Sequence, residues 1–287
     1  MSSIVFLIDC PDQRGLVAST SSFFYERGFN ILHCQQYADP RDRHFYMRMK
    51  LSLEDLQSSR RELEESFAAF ASGLKMRWSV HYSDDTLRIA LLVTKASHCL
   101  YDLLLRKEEG EIRCEIPAII SNHSTLEAVA DRFRIPFHCL PVTAETRSDQ
   151  EARILELLRR YHIDLVVLAR YMQILSPAIV GPYRGRIINI HHAFLPAFQG
   201  GNPYERAYQR GVKMIGATAH YVTEELDEGP IIEQGVERVT HEHTPEDLQR
   251  IGRDVERIVL ARAVKAHADH QIIISGRRTI SFYGGAS

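Results

Sequence analysis

The spacing of apolar residues changes character near residue 84. Before that point, short patterned stretches alternate with turns. "SSIVFLID" reads as a strand and "CPDQRG" as a turn punctuated by Pro11 and Gly15. "LVASTSSFFYERG" reads as a helix, with Leu16, Val17, Phe23 and Phe24 near helical spacing and Gly28 as its stop. "NILHCQQYAD" and "HFYMRMKLSL" predict two strands joined by "PRDR", a hairpin signal. "EDLQSSRRELEESFAAFASG" predicts an amphipathic helix ending at Gly73, and "LKMRWSVHY" a closing strand. The order is βαββαβ, with two helices covering one face of a four-stranded sheet.

From Leu87 the apolar runs become continuous, as expected of strands covered on both faces. "LRIALLV", "EIRCEIPAIISN", "PFHCLPV" and "DLVVLAR" predict strands. "ASHCLYDLLLRKEEG", "STLEAVADRFRI" and "SDQEARILELLRRYHI" predict the helices between them. Such alternation gives a parallel sheet with helices on both faces, and ligands then sit outside the carboxyl ends of the strands. "TPEDLQRIGRDVERIVLARAVKAHAD" predicts one long helix and "QIIISGRRTISFYGG" a terminal hairpin. The polar link "SDDT" marks the boundary, so residues 1–83 form one expected domain and 84–287 the other.

Composition narrows the function classes. The 287 residues are 45% apolar, which suits globular domains with real cores. Thirty-five basic residues balance 37 acidic ones, which argues against a nucleic-acid partner. Cys10, Cys34, Cys99, Cys114 and Cys139 are odd in number and scattered, which disfavours disulfides and a cysteine metal site and fits a reducing compartment. The N-terminus lacks the form of a signal peptide, and no run approaches the roughly 18 apolar residues of a membrane span. A cytoplasmic protein with no membrane partner is expected.

The candidate chemistry lies where the strand "RIINIHHAF" turns polar: Asn189, His191 and His192. His220 and Asp227 follow in "GATAHYVTEELDEGPIIEQ". An amide N–H can face an oxygen that becomes negative, a contact worth about 3 kcal/mol in a transition state. An imidazolium can do the same or pass a proton to a leaving nitrogen. A carboxylate can orient that imidazole or take a proton from water. Each residue also has an ordinary reading, as a loop cap, a core histidine or an acidic turn. His191 and His192 are adjacent on an extended segment, so their side chains are expected on opposite faces, and no metal site is expected. There is no G-x-S-x-G elbow and no H-E-x-x-H helix.

The combination is more specific than its parts. "NIHHAFLPAFQG" followed by "GATAHYVTEELDEGPIIEQ" resembles the folate-dependent formyltransferase fold, with its Asn-x-His-x-x-x-x-Pro signature and downstream "D-x-G-x-I" turn. The resemblance spans residues 87 to about 283 and implies a Rossmann-like, mostly parallel sheet. It implies Asn189, His191 and Asp227 as catalytic residues, with His192 and His220 in support. It places the folate against Tyr171, Met172, Gln173, Ile174 and Leu175 of "ARYMQILS", and against Thr223, Glu224 and Glu225. The first domain, a ferredoxin-like unit, resembles an ACT domain through "DCPDQRGLVASTSSFFYERGFNI". That likeness implies an amino-acid effector near Asp9, Gly15, Leu16 and Asn30, with glycine and methionine as candidates. Gly15 at a helix start lets backbone N–H groups face a carboxylate, or merely makes a turn. Pairing through the open sheet edge implies a homo-oligomer, a dimer or tetramer.

An ACT domain before this fold, with His-His after the asparagine, resembles the formyltetrahydrofolate deformylases. These hydrolyse 10-formyltetrahydrofolate to formate and tetrahydrofolate, balance the one-carbon pool and supply formate for purine synthesis. The folate is then substrate, and no cofactor is implied. Transfer to a small amine is the alternative. The purine transferase of this fold holds its substrate's phosphate in a Gly-rich loop, whereas "VTKASHCLY" has no glycine. The role of His192 stays open between contacting water, shaping the pocket and packing a loop.

Overall fold

A computed structural model describes residues 2–55, 57, 59–195 and 203–282. The chain divides into two compact units. One contains the chain up to Thr86, His270–Ile273 and the chain from Ile280; the other contains Leu87–Asp269 and Ile274–Thr279. The hydropathy pattern instead groups the whole C-terminal hairpin with the second unit.

The first unit runs β1 (Ser3–Pro11), α1 (Leu16–Tyr25), β2 (Ile31–Asp39), β3 (His44–Ser52), α2 (Arg60–Gly73) and β4 (Arg77–Tyr82). Its sheet is antiparallel in the order β2-β3-β1-β4. This is the βαββαβ order that the hydrophobic pattern predicts. Phe6, Phe24 and Phe67 pack at centroid distances of 4.6, 4.9 and 5.5 Å and join β1 to both helices. The second helix starts at Arg60, later than the pattern predicts. Ser59 caps it, accepting from the Glu62 N–H while the Glu62 carboxylate accepts from the Ser59 N–H, and Leu53–Asp55 form a separate 3-10 turn. Tyr46 and Leu7 pack with Ile273, Ile280 and Phe282, and the Arg48 Nε–H donates to the His270 carbonyl at 2.8 Å. Those contacts are why part of the terminal hairpin groups with this unit.

The second unit contains β5 (Leu87–Val93), α3 (His98–Glu108), β6 (Cys114–Ser121), α4 (Glu127–Arg132), β7 (Phe137–Cys139), α5 (Arg147–Arg160) and β8 (Leu165–Leu168). It continues with α6 (Pro177–Val180), β9 (Ile187–His191), α7 (Pro203–Gln209), β10 (Met214–Tyr221), β11 (Ile231–Arg238) and α8 (Pro245–Ala268). The hairpin of β12 (Ile272–Ser275) and β13 (Arg278–Ser281) follows. The seven-stranded sheet has the order β11-β10-β9-β8-β5-β6-β7. Strands β5 to β9 are mutually parallel, and β10 runs antiparallel to both β9 and the edge strand β11. Ala90 and Leu92 of β5 pack with Ile154 and Leu158 of α5. Ile89, Leu91 and Val93 point the other way and are equally buried, so both faces are covered. The helix predicted over "STLEAVADRFRI" is split into a 3-10 turn at Ser124–Leu126 and the short α4.

Successive strands leave β5 in both directions, to β6 and β7 on one side and to β8 and β9 on the other. The carboxyl ends of β5 and β8 therefore flank a topological switch point, where a crevice opens. Among the described residues, no helix is long and apolar enough to cross a membrane.

Candidate active site

Strand β9 carries the first two groups. Asn189 and His191 are two apart and share a face of the sheet. The neighbouring strand β10 runs antiparallel and sets His220 opposite Asn189. The His220 Nδ1–H donates to the Tyr221 carbonyl at 2.9 Å, which leaves Nε2 to accept from the Asn189 amide at 3.3 Å. That bond fixes the amide plane, with Asn189 lining the cavity.

Asp227 arrives from the turn after β10. Its φ is 57°, a left-handed conformation that Asp tolerates better than most residues. Two residues on, Gly229 lies so close to β10 that a β-carbon there would be 1.7 Å from the Tyr221 carbonyl oxygen. The Tyr221 N–H donates to the Pro230 carbonyl at 2.9 Å and closes the turn. Held this way, Asp227 Oδ2 lies 3.2 Å from His191 Nδ1, and Oδ1 lies 3.6 Å from His220 Nε2. His191 holds the Asp227 carboxyl well below its ordinary range, against the partial burial that opposes ionisation. His191 is 8% exposed, and its Nε2 is buried without a hydrogen-bond partner among the described residues. That nitrogen is the one left for chemistry.

One cavity of about 840 Å³ collects the predicted site. It is lined by Asn189, His191, His192, His220 and Asp227, by Tyr171, Met172, Gln173, Ile174 and Leu175, and by Thr223, Glu224 and Glu225. The loop after β8 is pinned by backbone bonds: the Ala169 N–H reaches the Leu92 carbonyl, the Met172 N–H reaches Thr94 Oγ1, and Arg147 donates to the Ile174 carbonyl. Burial pushes the Tyr171 hydroxyl up to about 12, so it stays a donor at neutral pH. Met172, Ile174 and Leu226 leave apolar surface exposed along the walls, as a flat aromatic ligand requires. Pro196, the proline of the signature, lies outside the described residues.

The histidine pair departs from expectation. Strand β9 ends at His191, so the two-fold alternation stops before His192. The two rings stack, with centroids 5.0 Å apart and planes at 16°. Burial, with Arg170 and His191 nearby, lowers His192 to about 4. Its ring is therefore neutral at physiological pH. Because the folded value lies below the ordinary 6.5, the unfolded state binds a proton that the native state refuses, and stability declines as pH falls from 6.5 towards 4. His192→Gln should flatten that decline in denaturant melts. It should also leave the acid limb of kcat/KM unmoved between about pH 5 and pH 8; a displaced limb would refute a neutral His192.

Behind His192 lies a buried group that the sequence reading did not single out. Glu256 of α8 is 1% exposed, accepts from the Tyr204 hydroxyl at 2.8 Å and lies 2.8 Å from His98 Nε2. Arg170 Nε is 3.4 Å from it. Burial opposes ionisation of Glu256, but His98, Arg170 and Tyr204 outweigh it and keep the pKa low. A sequence signal does exist: Glu256 sits on the apolar stripe of α8 with Leu248, Gly252, Val259 and Ala263. His98, Cys99 and Glu256 also bring ligand-type atoms within 4.8 Å of one another. Burial pushes the Cys99 thiol well up, so it is protonated there and a poor metal ligand.

The effector candidates lie in the first unit. Asp9 is hydrogen-bonded to His44 Nε2 at 2.7 Å and ion-paired with Arg77 at 2.6 Å. Gly15 heads α1 at φ 87°, Leu16 is buried in the phenylalanine core, and the Asn30 N–H donates to Asp55 at 2.9 Å. The Asp9 carboxylate thus has intramolecular partners that the sequence does not disclose.

The formyl transferase family model matches residues 87–264. A formyltetrahydrofolate deformylase of Synechocystis sp. is 52% identical over 276 residues, spanning 96% of this chain and 97% of that protein. The Bacillus subtilis formyltetrahydrofolate deformylase is 46% identical, spanning 96% of this chain and 92% of that protein. The crystal structure of a formyltetrahydrofolate deformylase from Pseudomonas syringae pv. tomato superposes with a TM-score of 0.96 at 40% identity, covering 99% of this chain and 95% of that one. With the likeness running through both units, the chain belongs to the formyltetrahydrofolate deformylase family.

Proposed function

We propose that the protein hydrolyses 10-formyltetrahydrofolate to formate and tetrahydrofolate. The observation that carries this reading is the convergence of Asn189, His191 and Asp227 in one cavity with the 171–175 loop and the 223–226 turn. The pterin lies against the 171–175 and 223–225 loops. The formyl oxygen faces the Asn189 amide and His191 Nε2.

In the proposed reaction, His191 is protonated and Asp227 holds its charge. Water attacks the formyl carbon, a new C–O bond forms, and the oxyanion is met by Asn189 and His191. The C–N10 bond then breaks as His191 gives its proton to N10. Asp227 is a weak base while it faces an imidazolium. Its basicity rises as that proton leaves, so the pair releases one proton to N10 and recovers one from the attacking water. Formic acid ionises, and formate, tetrahydrofolate and a proton are the products. The step needs water only and calls for no cofactor.

We read the first unit as an ACT-like regulatory domain, supported by its βαββαβ order and by Gly15 at the head of α1. Glycine or methionine is the proposed effector, and pairing of copies the proposed assembly. Five free cysteines fit a cytoplasmic location, and the released formate would feed purine synthesis.

The test is a formate assay on purified protein given 10-formyltetrahydrofolate alone. Stoichiometric formate is expected, with a rate that responds to glycine or methionine. Silence until a small amine is added would mean transfer. Tight folate binding with no turnover would mean a sensor.

A further inference from the structure

We propose that Arg170 is the binding group for the departing formate, held in place by Glu256. The identity of the anion rests on the hydrolytic reading; the anion site itself rests on the geometry.

Arg170 lies two residues beyond the end of β8 at φ 64°, in the left-handed region where a β-carbon is disfavoured. A non-glycine residue kept in that conformation beside a reactive site points to a use for its side chain. Among the described residues lining the cavity, Arg170 is the sole arginine or lysine, against Glu205, Glu224, Glu225 and Glu246. A small anion therefore has one cationic place to go.

The guanidinium is positioned but not used up. Glu256 lies 3.4 Å from Arg170 Nε without hydrogen-bond geometry, and its oxygens already face Tyr204 and His98 at 2.8 Å each. Nε and Nη1 of Arg170 are buried and find no acceptor among the described residues. Gly252 serves this arrangement, since a β-carbon there would lie 2.0 Å from the Tyr204 hydroxyl and push it off Glu256. A fixed guanidinium that lines the cavity and makes no hydrogen bond to Glu256 matches a small carboxylate anion. Formate is the smallest such group. It becomes an anion only after the C–N10 bond has broken and formic acid has lost its proton to solvent, so Arg170 favours the product side.

The test uses the full-length protein and sodium formate. Formate binding is read by calorimetry without folate, and product inhibition by formate is read in the turnover assay. Arg170→Gln keeps most of the length without the charge. Arg170→Gly relaxes the backbone and guards against loss of the fold. Both should weaken formate binding and inhibition by about tenfold or more, and Arg170→Lys should recover only part. Unchanged formate binding in a folded Arg170→Gln protein overturns the proposal. So does a wild-type protein that binds formate no better than chloride. Absence of hydrolysis with Arg170-dependent formate binding would defeat the hydrolytic reading and leave the anion site standing.

Discussion

Asp227→Asn is expected to lower kcat for formate release by ~10³- to 10⁴-fold, with the circular-dichroism spectrum unchanged. Asn has nearly the same shape and tolerates the left-handed backbone at φ 57°. What it removes is charge. His191 Nδ1 would face a neutral amide at the 3.2 Å contact, and its imidazolium form would lose its counter-ion. The proton recovered from water would also lose its place. A second signature comes from linkage. The folded Asp227 pKa lies below the unfolded value, so its stabilisation is present above about pH 4 and disappears as pH falls through the folded value. The stability gap between wild type and variant should therefore narrow in acid. A variant within tenfold of the wild-type kcat would remove Asp227 from the mechanism.

Gly229→Ala should cost about 10²-fold or more in kcat/KM, although residue 229 supplies no reacting group. The added carbon would meet backbone, at 1.7 Å from the Tyr221 oxygen and 2.8 Å from its carbonyl carbon, and backbone cannot rotate away. The turn must peel from β10. The 2.9 Å bond from the Tyr221 N–H to the Pro230 carbonyl is then lost, and Asp227 moves off His191. A lower melting temperature should accompany the loss. Glu228→Ala next door is the control: Glu228 is half-exposed and pairs with Arg277 on the surface, an interaction of small value. Wild-type kinetics in Gly229→Ala would show that the turn does not set the position of Asp227.

The period-two pattern of "IINIH" puts Asn189 and His191 on one face, and the order of strands and helices puts them at the mouth of a parallel sheet. Both are local properties, so both can be read from the chain. The pairing of His191 with Asp227 is not local. It came from resemblance, and its physical basis is the close approach of Gly229 to β10, which no periodicity encodes. The stacking of His191 on His192 depends on where β9 ends, and alternation overshot by one residue. The start of α2 at Arg60 was legible in Ser59 and Glu62 but was hidden by the helical look of the residues before it. Glu256 finds His98 across 158 residues and Tyr204 across 52. Only the stripe of α8, apolar except for one acid, hints at such distant partners.

Every described residue that lines the candidate cavity belongs to the segment Leu87–Asp269. None of the described residues of the first unit lines that cavity. Whatever it does to the binding of folate must act as a coupling free energy between two equilibria. Such coupling is reciprocal: an amino acid that weakens folate binding by some factor is itself bound more weakly, by that same factor, once the cavity is filled.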